Sequence, residues 1–278
     1  MTPPPSKTPL PKPRRDRALL LKRHPYSESS IIATVLTREH GLVQVLARGA
    51  HRPKSRFYAV LDAFHELELE WTPSKRSLLG TLNRGDWRIR RRHITEDLEA
   101  YRVATTLMEL THLGSRPGHR EREMFDLLSA QFDRLNTCPG PAELLKIRIE
   151  FQLGFLQMHG LAPALETCAS CAKGAPAVGT PPRVGFSAGS GGRLCAACVA
   201  EVRAAAGRVG TLPLDVVEVA AKMMRSQETC AGEELLLRVR DFVERFLDYH
   251  LGTRPRSHRE FLSEENRNAP HRLVEPRT

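Results

Sequence analysis

From Asp16 the chain breaks into short apolar runs parted by Gly, Pro and Ser. Ala18–Arg23, Ser30–Thr37, Leu42–Arg48, Phe64–Trp71 and Leu78–Trp87 are rich in Leu, Val and Ile, and each has the length of a strand. Alternation is clearest in Phe64–Trp71. There His65, Leu67, Leu69 and Trp71 share one face, and Glu66, Glu68 and Glu70 share the other, which reads as the solvated side of an amphipathic strand. Five short strands in about 75 residues suit a small closed barrel, the five-stranded OB-fold above all, although an SH3-like barrel satisfies the same pattern.

After Arg92 the period turns helical. Thr95 is placed to cap a helix with Glu96 and Asp97 in its first turn and Leu98, Tyr101, Ala104, Leu107, Met108 and Thr111 along its apolar stripe. Ser115-Arg-Pro-Gly ends it. Phe125, Leu128, Phe132 and Leu135 mark a second helix, closed by Pro139-Gly140-Pro141. The third, Ala142–His159, is apolar on nearly every side and belongs inside a bundle. Two more are expected near Leu214–Arg225 and Glu233–Leu251. The pattern thus predicts an α+β multidomain protein. A flexible basic arm over 1–15 precedes an OB-fold domain over 16–93. A helical domain over 94–165 and 201–252 is interrupted by a small four-cysteine module over 166–200, and a flexible polar tail fills 253–278.

Composition narrows the class. Of 278 residues, 41% are hydrophobic and 27% charged, and no run of eighteen apolar residues occurs, so neither a membrane span nor wholesale disorder is expected. The first residues lack the apolar core of a secretory signal, which predicts a cytoplasmic protein. Six cysteines are too few for a disulfide scaffold in a chain this long. Charge is unevenly placed. Residues 1–95 hold 19 Lys and Arg against 8 Asp and Glu, a net of +11, while the remainder nets −1. A localised positive field attracts a polyanion, and nucleic acid is the leading partner, ahead of an anionic membrane surface or an acidic protein.

The strongest chemical signal is Cys168-Ala-Ser-Cys171 followed, after 23 residues, by Cys195-Ala-Ala-Cys198. Each pair can form a knuckle presenting two thiolates to one ion, and two knuckles complete the closed tetrahedral set that Zn²⁺ favours. Such a site leaves no open position and is structural. Redox thiols and an iron–sulfur cluster are the alternatives. The intervening Ala172–Leu194, rich in Gly, Pro and Ser, is not expected to build a core of its own. Cys138 and Cys230 stand alone.

Candidate phosphate contacts are Arg14 and Arg15 in the arm, the loop cations Arg48, Arg52, Lys54 and Arg56, and the run Arg88, Arg90, Arg91 and Arg92. The loop contains Gly and Pro, so its charges gather around a turn. Phe57 and Tyr58 follow it and are read as core rather than as base-stacking residues. The chain has no phosphate-loop motif and no His-Glu-x-x-His, and no residue is assigned a catalytic role.

Asp16-Arg-Ala-Leu-Leu-Leu-Lys-Arg-His-Pro-Tyr-Ser-Glu-Ser-Ser-Ile-Ile, Leu36-Thr-Arg-Glu-His-Gly-Leu and Ala47-Arg-Gly-Ala resemble the opening of the RecO family of bacterial DNA repair proteins. Phe151-Gln-Leu-Gly-Phe-Leu-Gln-Met-His-Gly-Leu-Ala-Pro-Ala-Leu, leading into the first cysteine pair, resembles the same family, and the similarity spans about residues 16–250. The resemblance implies an OB-fold, a helical domain and a zinc module. It also implies non-enzymatic binding of single- and double-stranded DNA and annealing of complementary strands. Work with RecR and single-stranded-DNA-binding protein (SSB) to load RecA, in the cytoplasm at the nucleoid, is implied too. Two other readings stand beside this one: a nuclease using the Glu66, Glu68 and Glu70 row, and a protein-interaction scaffold. Arg102, Arg116, Arg120 and Arg122 are candidate contacts for an acidic partner peptide.

Overall fold

The strands form where the apolar runs place them. In the computed structural model, which describes residues 12–52, 54–74 and 77–252, they are β1 (Arg14–Pro25), β2 (Ile31–Thr37), β3 (Gly41–Ala47), β4 (Glu66–Thr72) and β5 (Leu79–Ile89). They close into a barrel in the order β1-β2-β3-β5-β4, every pairing antiparallel except β3 with β5. That connectivity is an OB-fold. Ala18, Leu20, Val35, Val45, Leu67, Leu69 and Trp71 fill its interior, and a short helix, α1 (Arg56–Val60), adds Val60 to the same cluster. Of the expected arm, residues 1–11 lie outside the described residues, as does the expected tail over 253–278. Arg14 and Arg15 begin β1, because their backbones pair with Trp71 and Glu70 of β4.

The chain divides into two compact units, residues 1–96 with 111–137 and residues 97–110 with 138–278. In the first, α3 (Arg122–Leu135) covers the outer face of the barrel over β2. This explains why β1 and β2 do not alternate. Leu19 and Leu36 are cross-strand partners outside the barrel core, yet both are wholly buried. The same cover overturns the solvated reading of the glutamate row. Glu66 is fully buried; it accepts hydrogen bonds from Arg17 at 2.8 and 3.0 Å and from the Ser129 hydroxyl at 3.1 Å, and Arg88 lies at 2.9 Å. Glu68 and Glu70 stay half-buried.

Arg91 is the second anchor of α3. Its guanidinium, fully buried, donates to Asp133 at 2.7 Å, to the Phe64 carbonyl at 3.0 Å and to the Ser129 hydroxyl at 2.8 Å. Phe64 needs that hold. Its φ of 69° is a left-handed conformation that a bulky residue adopts only under constraint, and Phe132 packs edge-on against its ring at 5.6 Å. A 3-10 turn over His93–Thr95 follows. The helix expected to start at Thr95 starts later, as α2 (Leu98–Gly114), because the Asp97 carboxylate accepts from the Ala100 N–H at 2.8 Å and takes the cap.

In the second unit α4 (Pro141–Met158), α6 (Leu214–Met224) and α7 (Glu233–Leu251) pack together, with α4 buried on most sides as its sequence predicts. Arg148 of α4 and Glu244 of α7 form a buried pair at 2.5 Å. Between α4 and α6 the chain builds a small sheet that the sequence reading did not foresee. β6 (Arg183–Ser187) and β7 (Gly192–Leu194) are joined by β8 (Gly210–Pro213) in the order β7-β6-β8, with α5 (Ala196–Ala204) between β7 and β8. Phe186 ties this sheet to α7 through edge contacts with Phe242 at 5.1 Å and Phe246 at 5.9 Å.

Two outcomes follow for the first unit. Arg91→Ala should cost about 3 kcal/mol in urea unfolding, since it removes the buried donor that the Phe64 carbonyl, the Ser129 hydroxyl and Asp133 all accept from and leaves a gap behind; a loss under about 1 kcal/mol would contradict the anchor. His65 gives a pH dependence. Burial holds its ring below the usual imidazole range, and its Nδ1 accepts from the Arg91 N–H at 3.0 Å. The unfolded chain therefore binds a proton near its ordinary pKa of 6.5 that the folded barrel resists. Stability is full above that pH and falls as the pH drops below it. Urea midpoints should fall between about pH 7.5 and 5.5, and His65→Gln should lose most of the difference.

Candidate metal centre and nucleic-acid interface

The four cysteines converge. Their Sγ atoms all lie within 4.8 Å of one another, and Cys171 and Cys195 are 3.8 Å apart. A tetrahedron with metal–sulfur bonds near 2.3 Å has sulfur–sulfur edges of about 3.8 Å, so the set is positioned for one metal ion and is compatible with zinc. Each knuckle is shaped by local backbone. In the first, the Cys168 N–H donates to Lys173 O and the Ala172 N–H to Cys168 O, with Ala172 at a φ of 58°. In the second, β7 delivers Cys195 to the N-cap of α5 and Cys198 to its first turn. The N–H end of a helix there favours thiolate charge.

Burial opposes charge on Cys168, but backbone N–H groups at Cys195, Cys171 and Ser170 outweigh it and bring that thiol down to about 6. Cys198, hydrogen-bonded to Cys195 and buried, is pushed up. The core around the site is small: Cys168, Ala175, Leu194 and Cys198, flanked by Ala169, Val199, Val202 and Val209. Apolar area of that size holds little by itself, so an ion on the four thiolates would add a crosslink to the tie that Phe186 makes with α7. Among the described residues no other His, Cys, Asp and Glu group of three or more is placed for a metal. Cys138 and Cys230 are exposed and apart from the cluster.

The basic residues fall into three places. Arg48, exposed, follows β3 and opens a turn in which Gly49 takes a φ of 68° and accepts a backbone hydrogen bond from Arg52. Arg52 and Lys54 are exposed in the same turn, and none of these three cations has an ion-pair partner among the described residues. Arg56 is the first residue of α1. The His51 N–H donates to Ser29 O, which docks this loop on the β1–β2 turn. Sequence reasoning missed what lies there. Tyr26 is 61% and Tyr58 53% exposed, His51 lies 5.7 Å from the Tyr58 ring, and Arg23 sits 5.8 Å over it. Phe57 packs on the barrel core as expected, but Tyr58 does not. Their signal was only aromatic type beside turn residues.

Arg14 and Arg15 lie at the other end of β1, roughly 35 Å of strand away from that turn. Arg14 is exposed, and Arg15 pairs with Glu68 at 2.7 Å. In the third group Arg88 pairs with Glu66, Arg90 stacks 3.7 Å over the Trp87 ring, and Arg92 is exposed. Arg91 must be removed from the candidate contacts: it is buried and its donors are engaged within the fold. Three of the arginines considered for an acidic peptide are engaged within the fold. Arg120 and Arg122 bind Glu39, holding its carboxyl below the usual range, whereas Arg102 pairs with Glu99 on its own helix.

Gly185-Phe-Ser187-Ala-Gly189 has the spacing of a hydrolase nucleophile turn. Here Ser187 is buried, accepts from the Ser190 N–H at 3.3 Å, and leads into a strand rather than a helix, so it is not a nucleophile of that kind.

Residues 13–88 match the family profile described as "Recombination protein O N terminal", and residues 95–259 match "Recombination protein O C terminal". Similar curated proteins, each named DNA repair protein RecO, include one from Anaeromyxobacter dehalogenans, 37% identical over 90% of this chain and 97% of the relative. One from Myxococcus xanthus is 31% identical over 87% and 94%. One from Bacillus subtilis is 34% identical over 55% and 58%.

Cys198→Ser should abolish stoichiometric metal and expose the β6–β8 region to protease, and a strong chelator should do the same to the unaltered protein while leaving the barrel folded. Elemental analysis finding no metal in freshly purified protein would contradict the assignment.

Proposed function

The chain belongs to the RecO family of DNA repair proteins, and from that premise we propose that it is a non-enzymatic recombination mediator in the cytoplasm, at the nucleoid. In this reading it binds single- and double-stranded DNA, anneals complementary strands, and works with RecR to load RecA on strands covered by SSB. The observation that carries the reading is the loop holding Arg48, Arg52 and Lys54. Three exposed cations with no ion pair among the described residues gather in one turn of a closed barrel, beside the exposed rings of Tyr26 and Tyr58. Annealing asks for this chemistry. Two backbones must be screened from each other while base edges remain free, which favours phosphate contacts over base readout. The four thiolates hold one Zn²⁺ in a structural role, fitting a closed set with no position for water.

Arg56, Arg90 and Arg92 extend the phosphate surface, with Arg14 at the far end of β1. The nuclease reading loses its footing at Glu66, whose carboxylate is occupied by Arg17, Arg88 and Ser129.

Fluorescence anisotropy with a labelled single strand tests the proposal. With about four to six phosphate contacts, log K should fall with log salt at a slope of roughly −3 to −4. Affinity should vary little with sequence, and complementary strands should anneal faster with the protein than without it. Affinity that ignores salt, or a protein that leaves the annealing rate unchanged, would contradict it.

A further inference from the structure

In the second unit the β6–β7 turn, the loop from α5 to β8 and the last turn of α7 enclose a recess of about 1010 Å³. Phe186, Val202 and Val209 give it an apolar floor, and no acidic side chain lines it. Arg203, Arg208 and the Tyr249 hydroxyl stand at its rim. Both arginines are exposed, and neither forms an ion pair among the described residues. That sets them apart from Arg225, Arg238 and Arg240 of the same unit, which pair with Glu166, Asp215 and Asp241. Tyr249 is 58% exposed, and its position is matched to the turn: a Cβ at Gly189 would lie 2.8 Å from its hydroxyl oxygen.

We propose that this recess binds a nucleotide unit of a nucleic-acid strand through its phosphate, and that it serves a second strand while the barrel holds the first. Two planar guanidinium forks suit the oxygens of a phosphate, which accept from both at once. A lone phosphate would leave most of the volume empty. The apolar lining and the Tyr249 ring give part of the remaining space a use, since a sugar and base can lie against them and a ring can stack on the base. The remainder of the chain outside residues 1–95 is close to neutral overall, so an attraction in this unit has to come from cations that no carboxylate answers, and these two line one recess.

The inference rests on the strand-binding reading of the barrel, and the test separates the two. The full-length protein is saturated with one labelled single strand, and a second, non-complementary oligothymidylate of about 20 nucleotides carrying another label is titrated in. Wild type should take up the second strand. Arg203→Ala with Arg208→Ala should weaken that step at least about fivefold and flatten its salt slope by about 1.4, while first-strand affinity changes less than about twofold. Tyr249→Phe, which keeps the ring, should weaken it less. Unchanged metal content and melting temperature of the variants show that the fold is intact. Wild type that binds one strand and never a second, or a double variant that binds the second as well as wild type, would overturn the recess and leave the barrel reading standing. An equal loss for both strands would overturn the two-strand division. Wild type that binds no strand at all would overturn the barrel reading itself, and this inference with it.

Discussion

The fully buried carboxylate of Glu66 decides how the first unit is built. It sits on the outer face of a barrel strand, where a charge without partners would be prohibitive, so Arg17, Arg88 and the Ser129 hydroxyl converge on it. Ser129 belongs to α3, and the same residue accepts from Arg91, which also reaches Asp133 and the strained Phe64. One connected polar network therefore holds the helix against the barrel. Breaking any member leaves others buried and unpaired, which is why such a network specifies a single arrangement as well as adding stability.

The network also determines which cations remain for a polyanion. The first third of the chain is strongly basic, but its arginines are not equivalent. Arg17 and Arg88 answer Glu66, Arg91 answers Asp133, Arg38 answers Asp126, and Arg15 answers Glu68. The exposed turn after β3 has no carboxylate of its own, so Arg48, Arg52 and Lys54 keep their field. In the second unit the same logic separates Arg203 and Arg208 from their paired neighbours. The four cysteines stand at a different kind of place there: the cluster of Cys168, Ala175, Leu194 and Cys198 is small, and their thiolates are positioned to add a metal crosslink to it.

Much of this was legible in the sequence. Five strands, the later helices and both cysteine knuckles follow from local signals, namely period, turn residues and ligand spacing. What was not legible depends on partners distant in the chain. Alternation correctly set Glu66 opposite Leu67, but nothing local says that a helix more than fifty residues later covers that face. Arg91 stands in a run of arginines and looks like its neighbours until Ser129 and Asp133 arrive. The β6–β8 sheet was hidden because its strands are short and rich in glycine, and its third strand lies beyond the second cysteine pair. Thr95 reads as the cap with Asp97 in the first turn, and only the geometry of the preceding 3-10 turn hands the cap to Asp97.

The central claim is that unpaired cations, rather than basic residues in general, bind the strand. It is tested by removing three charges in two ways and measuring how single-strand affinity depends on salt. Arg48, Arg52 and Lys54 changed together to Ala should make the slope of log K against log salt less steep by about 2. Arg15, Arg38 and Arg88 changed together to Gln remove the same charge, yet should shift that slope by less than about 0.5, because each already neutralises a carboxylate. Equal shifts in the two variants, or a larger one in the second, would contradict the account.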